Sequence, residues 1–449
     1  ISTLILAFAA CATAVYGAES QRGLFPIDDG TDIFNELFAN QQQAICEPSF
    51  TSDQCTGSEG VSVSTDVKLF GDLFCSQTIT IEDGATFDCN HFLIRSVAGT
   101  VFQISTGAKL LNCDLDHNLQ GTASTGVQMA NGAATAKNIF YEGLGRAFVI
   151  QDGAADVSLA GISGTSYSQA VVIDANGGDT TSETNTITIE GARFMERTDT
   201  QCIVVAANNH QFFLKDAMIA NCGLENIRVD KSRRTELDGV VSANAGLDGA
   251  FFKGFNSQVV VRNSKFVRNG SNGVTVDDTK LTITLVDSQL HSNGNNGVNI
   301  VKARGVTITS VEANNNANSG IFADARNFFN LNNVLTVGNT VAGVVLDATQ
   351  NSLRFNPNQL VTINNPTGIL VRGTKTVRAT FVNTITCESD TGLVFETDVS
   401  FQSETVNVKF DNCLADDTLI LDVDGNTLGC TDVRDDFCDE VCGTTSGKR

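Results

Sequence analysis

A glycine recurs every 23 to 25 residues through the second half of this 449-residue chain. Each is followed by a short stretch in which apolar residues alternate with variable ones, as in NGSNGVTV and NGNNGVNI. A fixed period of this length indicates repeated supersecondary units, and alternation with period two indicates a strand with one buried face. The pattern predicts a β-solenoid of about 23 residues per coil, and its clearest glycines are Gly273, Gly297, Gly320, Gly343 and Gly368.

An asparagine stands four residues before each of these glycines. Side-chain amides stacked one coil apart can hydrogen-bond to each other along the axis of the stack. We therefore expect an asparagine ladder formed by Asn269, Asn293, Asn316, Asn339 and Asn364.

Each coil contains a second short strand and then a polar bend before a third strand. The bends carry Asn263, Asp287, Ser310 and Asn333, residue types that suit tight corners and, for Asn and Asp, the left-handed backbone. A leucine-rich or helical solenoid is the alternative, but the leucine-rich consensus is absent and no helical period survives within a coil. Three strands per coil fit best.

The pattern resembles the right-handed parallel β-helix of the pectate-lyase-like superfamily, also called the pectin lyase fold. The resemblance covers about residues 60–428 and includes the stretch ATFDCNHFLIRS at 85–96, which resembles a first full coil. It implies an all-β fold whose ligands lie along the outer face of the first strand of each coil. The fold hosts lyases, hydrolases, epimerases, adhesins and structural proteins, so it does not define an activity.

The two ends of the chain read differently from the repeat. Residues 1–18 are apolar and end in small residues, which predicts a signal peptide, and the missing Met and basic start suggest truncation. A membrane anchor is the alternative, but the apolar stretch is too short to span a bilayer. We expect an N-terminal cap over 19–59 with a helix at 32–44, and a Cys-rich C-terminal cap and tail over 429–449.

Composition limits the range of partners. The formal net charge is −22 and no basic stripe offsets it, so nucleic-acid binding is disfavoured. The chain has no tryptophan and three tyrosines, which weakens the case for a carbohydrate ligand without removing it. No later segment has the character of a membrane span. An extracellular polysaccharide and another protein surface both remain open as partners.

The cysteines favour an oxidising compartment. Twelve remain when Cys11 is set aside, an even number concentrated toward both ends of the repeat. Cys387 and Cys413 occupy equivalent positions in successive coils, about 4.8 Å apart along the axis, where a disulfide could join them. Cys89 and Cys113, 24 residues apart, are expected to pair in the same way. Together with the leader, they predict a secreted, extracellular protein.

A polar cluster stands in the middle of the predicted outer face of the first strands. Its members are Arg228, Asp230, Lys253 and Asp277. A uronate lyase needs carboxylate neutralisation, a base and an acid, so Lys253 or Arg228 is a candidate base. Asp230 and Asp277 are candidate calcium ligands, which makes calcium the one cofactor to consider. The alternative is an ordinary solvated charge ladder on stacked strands.

Toward the C-terminus the same face becomes apolar. Four residues one coil apart, Phe322, Val345, Leu370 and Val394, form a candidate binding interface. Coverage by the chain's own tail or by a loop is the alternative.

Two functions therefore remain open. One is a secreted β-helix with a structural, adhesive or glycan- or surface-binding role, which the absence of a recognisable catalytic motif favours. The other is a polysaccharide lyase, a glycoside hydrolase or a related carbohydrate-active enzyme that acts on the outer face of the first strands.

Overall fold

The computed structural model describes most of the predicted repeat. The described residues are Cys55 and 60–117, 124–175, 185–195, 199–254, 258–277, 280–349, 352–395, 401–406, 420–421 and 427–428. The predicted signal peptide, N-terminal helix and Cys-rich C-terminal cap lie outside them. No helix among the described residues is long and apolar enough to cross a membrane.

Twelve strands lie in the first third of the described chain, and most of them are short. They are β1 (Val61–Val63), β2 (Val67–Lys68), β3 (Leu73–Cys75), β4 (Ile79–Ile81), β5 (Thr86–Asp88), β6 (Leu93–Ser96), β7 (Thr100–Ile104), β8 (Lys109–His117), β9 (Thr125–Met129), β10 (Gly132–Gln151), β11 (Ala154–Ala160) and β12 (Ser163–Asp174).

The middle of the chain continues the series. Its strands are β13 (Asn185–Glu190), β14 (Arg193–Met195), β15 (Ile203–Lys215), β16 (Met218–Ala220), β17 (Ile227–Asp238), β18 (Val241–Ala243), β19 (Ala250–Lys253), β20 (Gln258–Arg262), β21 (Lys265–Val267), β22 (Val274–Asp277), β23 (Thr282–His291) and β24 (Val298–Asn314).

The last strands complete the stack. They are β25 (Ser319–Val337), β26 (Ala342–Ala348), β27 (Leu353–Ile363), β28 (Thr367–Gly373), β29 (Val377–Val382), β30 (Ile385–Cys387), β31 (Thr391–Phe395), β32 (Phe401–Val406), β33 (Ile420–Leu421) and β34 (Thr427–Leu428). Strands β33 and β34 form their own two-stranded antiparallel sheet, which is not hydrogen-bonded to the parallel stack.

Each coil contributes one strand segment to each of three parallel stacks, which we call the first, second and third sheets. Within β23 and β24, for example, Thr282 pairs with Gly305 in the second sheet and Ser288 with Val311 in the third. Longer strands such as β10 and β25 run around a corner from one sheet to another. The fold is the predicted all-β, right-handed parallel solenoid.

The interior is filled by the inward residues of all three sheets. Strand β23 shows the alternation, because Ile283, Leu285 and Leu290 are buried while their neighbours are not. In the second sheet the rings of Phe329 and Phe355 stack with centroids 5.6 Å apart. Such aromatic stacks add to the hydrophobic stabilisation of the core, which in a solenoid is limited to the space that one coil encloses.

The predicted corners adopt the left-handed backbone. Asn263, Asp287, Ser310 and Asn333 have φ angles of 51°, 47°, 52° and 54°. Because the four residues are one coil apart, every turn between the second and third sheets bends in the same way in this part of the stack. The prediction from residue type is confirmed.

The asparagine ladder is present, with one member corrected. Asn269, Asn293 and Asn316 each donate a hydrogen bond from Nδ2 to Oδ1 of the next asparagine, at 3.0, 3.0 and 2.9 Å. Asn339 donates to Asn365, however, and not to the predicted Asn364. Asn364 instead has a φ of 50° at the corner, so this coil places the following residue inside the ladder.

A second buried ladder runs beside the first and was not predicted. Asn272 donates to Asp248 and Asn296 donates to Asn272, at 3.0 and 3.1 Å, and the amide of Ser319 donates to Asn296. Two ladders at one corner satisfy many backbone groups that would otherwise be buried without partners.

The recurring glycines are required by close backbone approach. A Cβ at Gly297 would lie 2.6 Å from the carbonyl oxygen of Gly320, and one at Gly320 would lie 2.7 Å from that of Gly343. Any larger residue would push neighbouring coils apart. This steric limit explains why glycine recurs at this position in successive coils.

Three disulfides lie among the described residues. The predicted Cys89–Cys113 bond joins positions in successive coils whose Cα atoms are 4.8 Å apart. Cys55–Cys75 and Cys202–Cys222 were not predicted, since each pair is separated by 20 residues and not by a full coil. Cys387 is buried, but Cys413 lies outside the described part of the chain, so their pairing stays a prediction.

Candidate functional site

The outer face of the first sheet carries the column of side chains predicted from the repeat. Adjacent members are cross-strand partners throughout, in the order Gln128, Val149, Val172, Val204, Arg228, Phe251, Thr275, Asn299, Phe322, Val345, Leu370 and Val394. The stack therefore keeps this register even in the coils of Val149, Val172, Val204 and Arg228, which have no glycine two residues earlier.

The next outward column is interrupted at Asp230. Ala206 pairs with Lys231, so Asp230 is the extra residue where the register between β15 and β17 shifts. Its carbonyl oxygen lies so close to Gly254 that a Cβ there would collide with it, and Gly254 has a φ of 88°. A bulge of this kind re-aims the side chains next to it.

Arg228 is held by two carboxylates. Its Nε donates to both carboxylate oxygens of Asp230 at 3.0 Å, and Nη1 lies 3.5 Å from Oε1 of Glu225. The guanidinium also lies 5.4 Å from the centroid of the Phe251 ring. One cation, two anions and an aromatic face thus form a compact cluster around the middle of the sheet.

The electrostatics of this cluster keep Arg228 protonated. Partial burial lowers the pKa of the guanidinium, but its hydrogen bond to Asp230 and the charges of Asp230 and Glu225 outweigh that effect and raise the pKa. With its pKa raised above that of a free arginine, Arg228 is protonated at neutral pH, and a protonated guanidinium cannot accept another proton. The geometry therefore disfavours Arg228 as the base of a lyase.

Lys253 and Asp277 form the other half of the predicted cluster. They are cross-strand partners in β19 and β22, and Lys253 is exposed. Nζ of Lys302 lies 4.0 Å from Asp277, which gives this carboxylate a cationic neighbour that the sequence did not single out.

The donors for a metal are few at this place. No group of three or more His, Cys, Asp or Glu side chains within the described ranges could hold a metal ion. Asp230 and Asp277 are the two predicted calcium ligands, and Asp230 already accepts from Arg228 with both oxygens. A calcium site there stays a prediction.

The apolar column at the C-terminal end is partly covered. Val345 is only 3% exposed, between Phe322 and Leu370 on the neighbouring strands. The guanidinium of Arg372 lies 5.3 Å from the centroid of the Phe322 ring, and its Nε donates to Asp347 at 2.9 Å. An arginine–carboxylate pair therefore borders this column.

Three contributors to the polar cluster were missed from sequence. Glu225 precedes the strand and is buried, Gly254 follows Lys253, and Lys302 lies in the coil after Asp277. Only Gly254 had a usable signal, since a glycine just after a strand often marks a close backbone approach. The other two depend on how far a side chain reaches between coils.

Comparison with known proteins supports the fold. Residues 201–386 match the family model described as a right handed beta helix region. No curated protein matches the chain. Among solved structures, the A-module of the Azotobacter vinelandii mannuronan C-5 epimerase is 12% identical, with 76% of this chain and 91% of that chain covered and a TM-score of 0.42.

Two further solved structures resemble this chain at low identity. A periplasmic alginate epimerase is 9% identical, with 77% of each chain covered and a TM-score of 0.36. Tailspike protein 3 of bacteriophage CBA120 is 11% identical, with 94% of this chain and 73% of that chain covered and a TM-score of 0.34. At these values the likenesses carry no argument about what this chain binds or catalyses.

Proposed function

Since this chain is a right-handed parallel β-helix protein, we propose that it is an extracellular binding rod whose first sheet holds an extended glycan on its outer face without cleaving it. The observation that carries this proposal is the pairing of Arg228 with Asp230 and Glu225. An arginine that two carboxylates hold in the protonated state can donate hydrogen bonds to a ligand but cannot take a proton from it at neutral pH.

The rest of the face supports binding of a long ligand. It is rigid, because each strand is bonded to the next coil, and its rungs repeat about every 4.8 Å. Polar groups lie on it, such as the hydrogen-bonded amides of Gln128 and Gln151 near its start and the Arg228 cluster in its middle. A flexible sugar chain laid along the axis would meet these donors and acceptors before it reached the apolar column from Phe322 to Val394.

The disulfides support the extracellular setting. Three of them hold the described coils together, and bonds of this kind persist in oxidising compartments.

A polysaccharide lyase is the second candidate, and one observation favours it. The exposed Lys253 lies between the bulge at Asp230 and the carboxylate of Asp277, where it could take a proton from a bound sugar. In that mechanism Arg228 would neutralise the substrate carboxylate, and Asp230 with Asp277 would be the residues to hold calcium.

One experiment separates the two functions. The secreted chain is incubated with a panel of soluble glycans, with calcium and with a chelator, while binding and the absorbance of unsaturated uronates are both recorded. We expect binding without new absorbance, and several-fold weaker binding for Lys253→Ala. Lys265→Ala, which removes an exposed lysine on the third sheet, is the matched control and should bind like the native chain.

Turnover that Lys253→Ala abolishes would establish the lyase and overturn the binding rod. Absence of binding to every glycan in the panel would overturn both.

A further inference from the structure

Three arginines surround one concavity on the outside of the second sheet. Arg326, Arg354 and Arg378 line a cavity of about 510 Å³ together with Phe328 and Leu353. No acidic residue is among the described residues that line it. In a chain with a formal net charge of −22, such a local excess of cations requires an explanation.

The arginines are fixed by the fold. Arg354 in β27 and Arg378 in β29 are cross-strand partners, so their side chains start about 4.8 Å apart along the axis. Arg326 lies in β25, where that strand passes from the first sheet to the second. All three are exposed, and none forms an ion pair with a residue that the structure describes.

Several arginines elsewhere on the rod are neutralised by acidic neighbours. Arg228, Arg234, Arg262 and Arg372 on the same rod all pair with carboxylates in adjacent positions. The net negative charge of the molecule does not cancel the local positive field, because charges beyond about 8 Å are largely screened at physiological salt.

The surroundings point to a sugar that carries acid groups. The ring of Phe328 lies over Gly305, where a Cβ would collide with it, and leaves a partly exposed aromatic surface beside Arg354. On the next outward column, Nδ2 of Asn356 donates to Oδ1 of Asn330 at 2.9 Å, which adds amides suited to hydroxyl groups. Guanidinium groups bind carboxylates and sulfates through paired hydrogen bonds.

We propose that this groove, defined by Arg326, Arg354, Arg378 and Phe328, binds an acidic glycan, with carboxylate or sulfate groups on the arginines and a sugar ring against Phe328. The groove lies on the second sheet, so it is a site separate from the outer face of the first sheet and does not depend on the function proposed for that face.

The test uses the full chain and calorimetric titration with four probes: a galacturonate hexamer, a sulfated heparin hexasaccharide, neutral maltohexaose and an oligothymidylate of matched charge. We expect one or both acidic sugars to bind, the neutral sugar not to bind, and the affinity to fall as salt is raised. The double variant Arg354→Gln/Arg378→Gln should lose roughly tenfold or more in affinity, as expected for lost charge-assisted contacts.

Two controls keep the outcome specific. Arg193→Gln removes an exposed arginine from the third sheet and should leave the affinity unchanged. Modification by phenylglyoxal, followed by mass spectrometry, should show that the acidic sugar protects Arg326, Arg354 and Arg378 in the native chain.

The proposal is overturned if the double variant binds the acidic sugars as well as the native chain does, or if the three arginines are not protected. Equal binding of the oligothymidylate would overturn it too, since it would indicate a non-specific response to polyanions.

Discussion

Asn293 and Asn316 are 23 residues apart in sequence and joined by a hydrogen bond of 3.0 Å between Nδ2 of the first and Oδ1 of the second. Both side chains are buried. The same Nδ2 also donates to the carbonyl oxygen of Phe266, so one amide links three coils. The ladder is thus a continuous polar seam inside a solenoid whose other interior contacts are mainly apolar.

Asn293→Ala should therefore destabilise the protein by about 2 to 4 kcal/mol, because it removes the acceptor of the buried backbone N–H and Nδ2 of Asn269 and a donor to the carbonyl oxygen of Phe266. Denaturant unfolding followed by circular dichroism measures the change. Asn332→Ala is the matched control, and it should cost less than about 0.5 kcal/mol. Asn332 is exposed on the second sheet, and among the residues that the structure describes its side chain accepts from Asn358 alone. Equal losses for the two variants would contradict a special role for the seam.

Gly320→Ala should destabilise by about 2 kcal/mol or more. The added methyl would lie 2.7 Å from the carbonyl oxygen of Gly343 and 3.0 Å from that of Ala313, and backbone atoms cannot move aside cheaply. Gly99→Ala is the control, because a Cβ there meets nothing within 4 Å. Thermal unfolding of the two variants tests the prediction, and a native-like midpoint for Gly320→Ala would refute it.

Replacing both Cys202 and Cys222 by alanine should lower the free energy of unfolding by about 3 kcal/mol, since their disulfide closes a loop with a sequence separation of 20 residues. Urea unfolding under oxidising conditions gives the difference. Reduced native protein should lose at least as much stability. If the variant unfolds at the same urea concentration as the oxidised native chain, this bond does not contribute to stability.

His291 should make stability depend on pH. Burial lowers its pKa from 6.5, and Lys265 acts in the same direction, while Glu312 opposes both. Because the folded pKa is depressed, the unfolded chain takes up the proton first as the pH falls below 6.5. The contribution of the neutral imidazole is then lost progressively until the folded protein also titrates.

The measurement compares thermal unfolding of the native chain and His291→Gln at about pH 7.5 and about pH 5. The native chain should lose stability relative to the variant at the lower pH. The effect of the many carboxylates cancels in this comparison, because both proteins contain them. A constant difference between the two proteins across this range would show that His291 does not titrate differently in the folded state.

Much of the architecture was readable from sequence, because each coil obeys the same local rules. The spacing of glycines such as Gly297 and Gly320 was enough to place Phe322, Val345, Leu370 and Val394 one coil apart in one outer column, since each coil of a parallel stack adds one rung. Residue type was enough to place the corners at Asn263 and Asp287. These features depend only on steric limits and on the two-residue period of a strand.

The tertiary structure decided what depends on contacts between coils of unequal length. It placed Asn365 in the ladder instead of Asn364, displaced Asp230 into a bulge, and joined Cys202 to Cys222. It also gave Arg228 its two carboxylate partners and brought Arg326, Arg354 and Arg378 around one groove. A period in the sequence specifies which residues are neighbours on average, whereas the reach of a side chain and the path of each corner are set only when the coils pack.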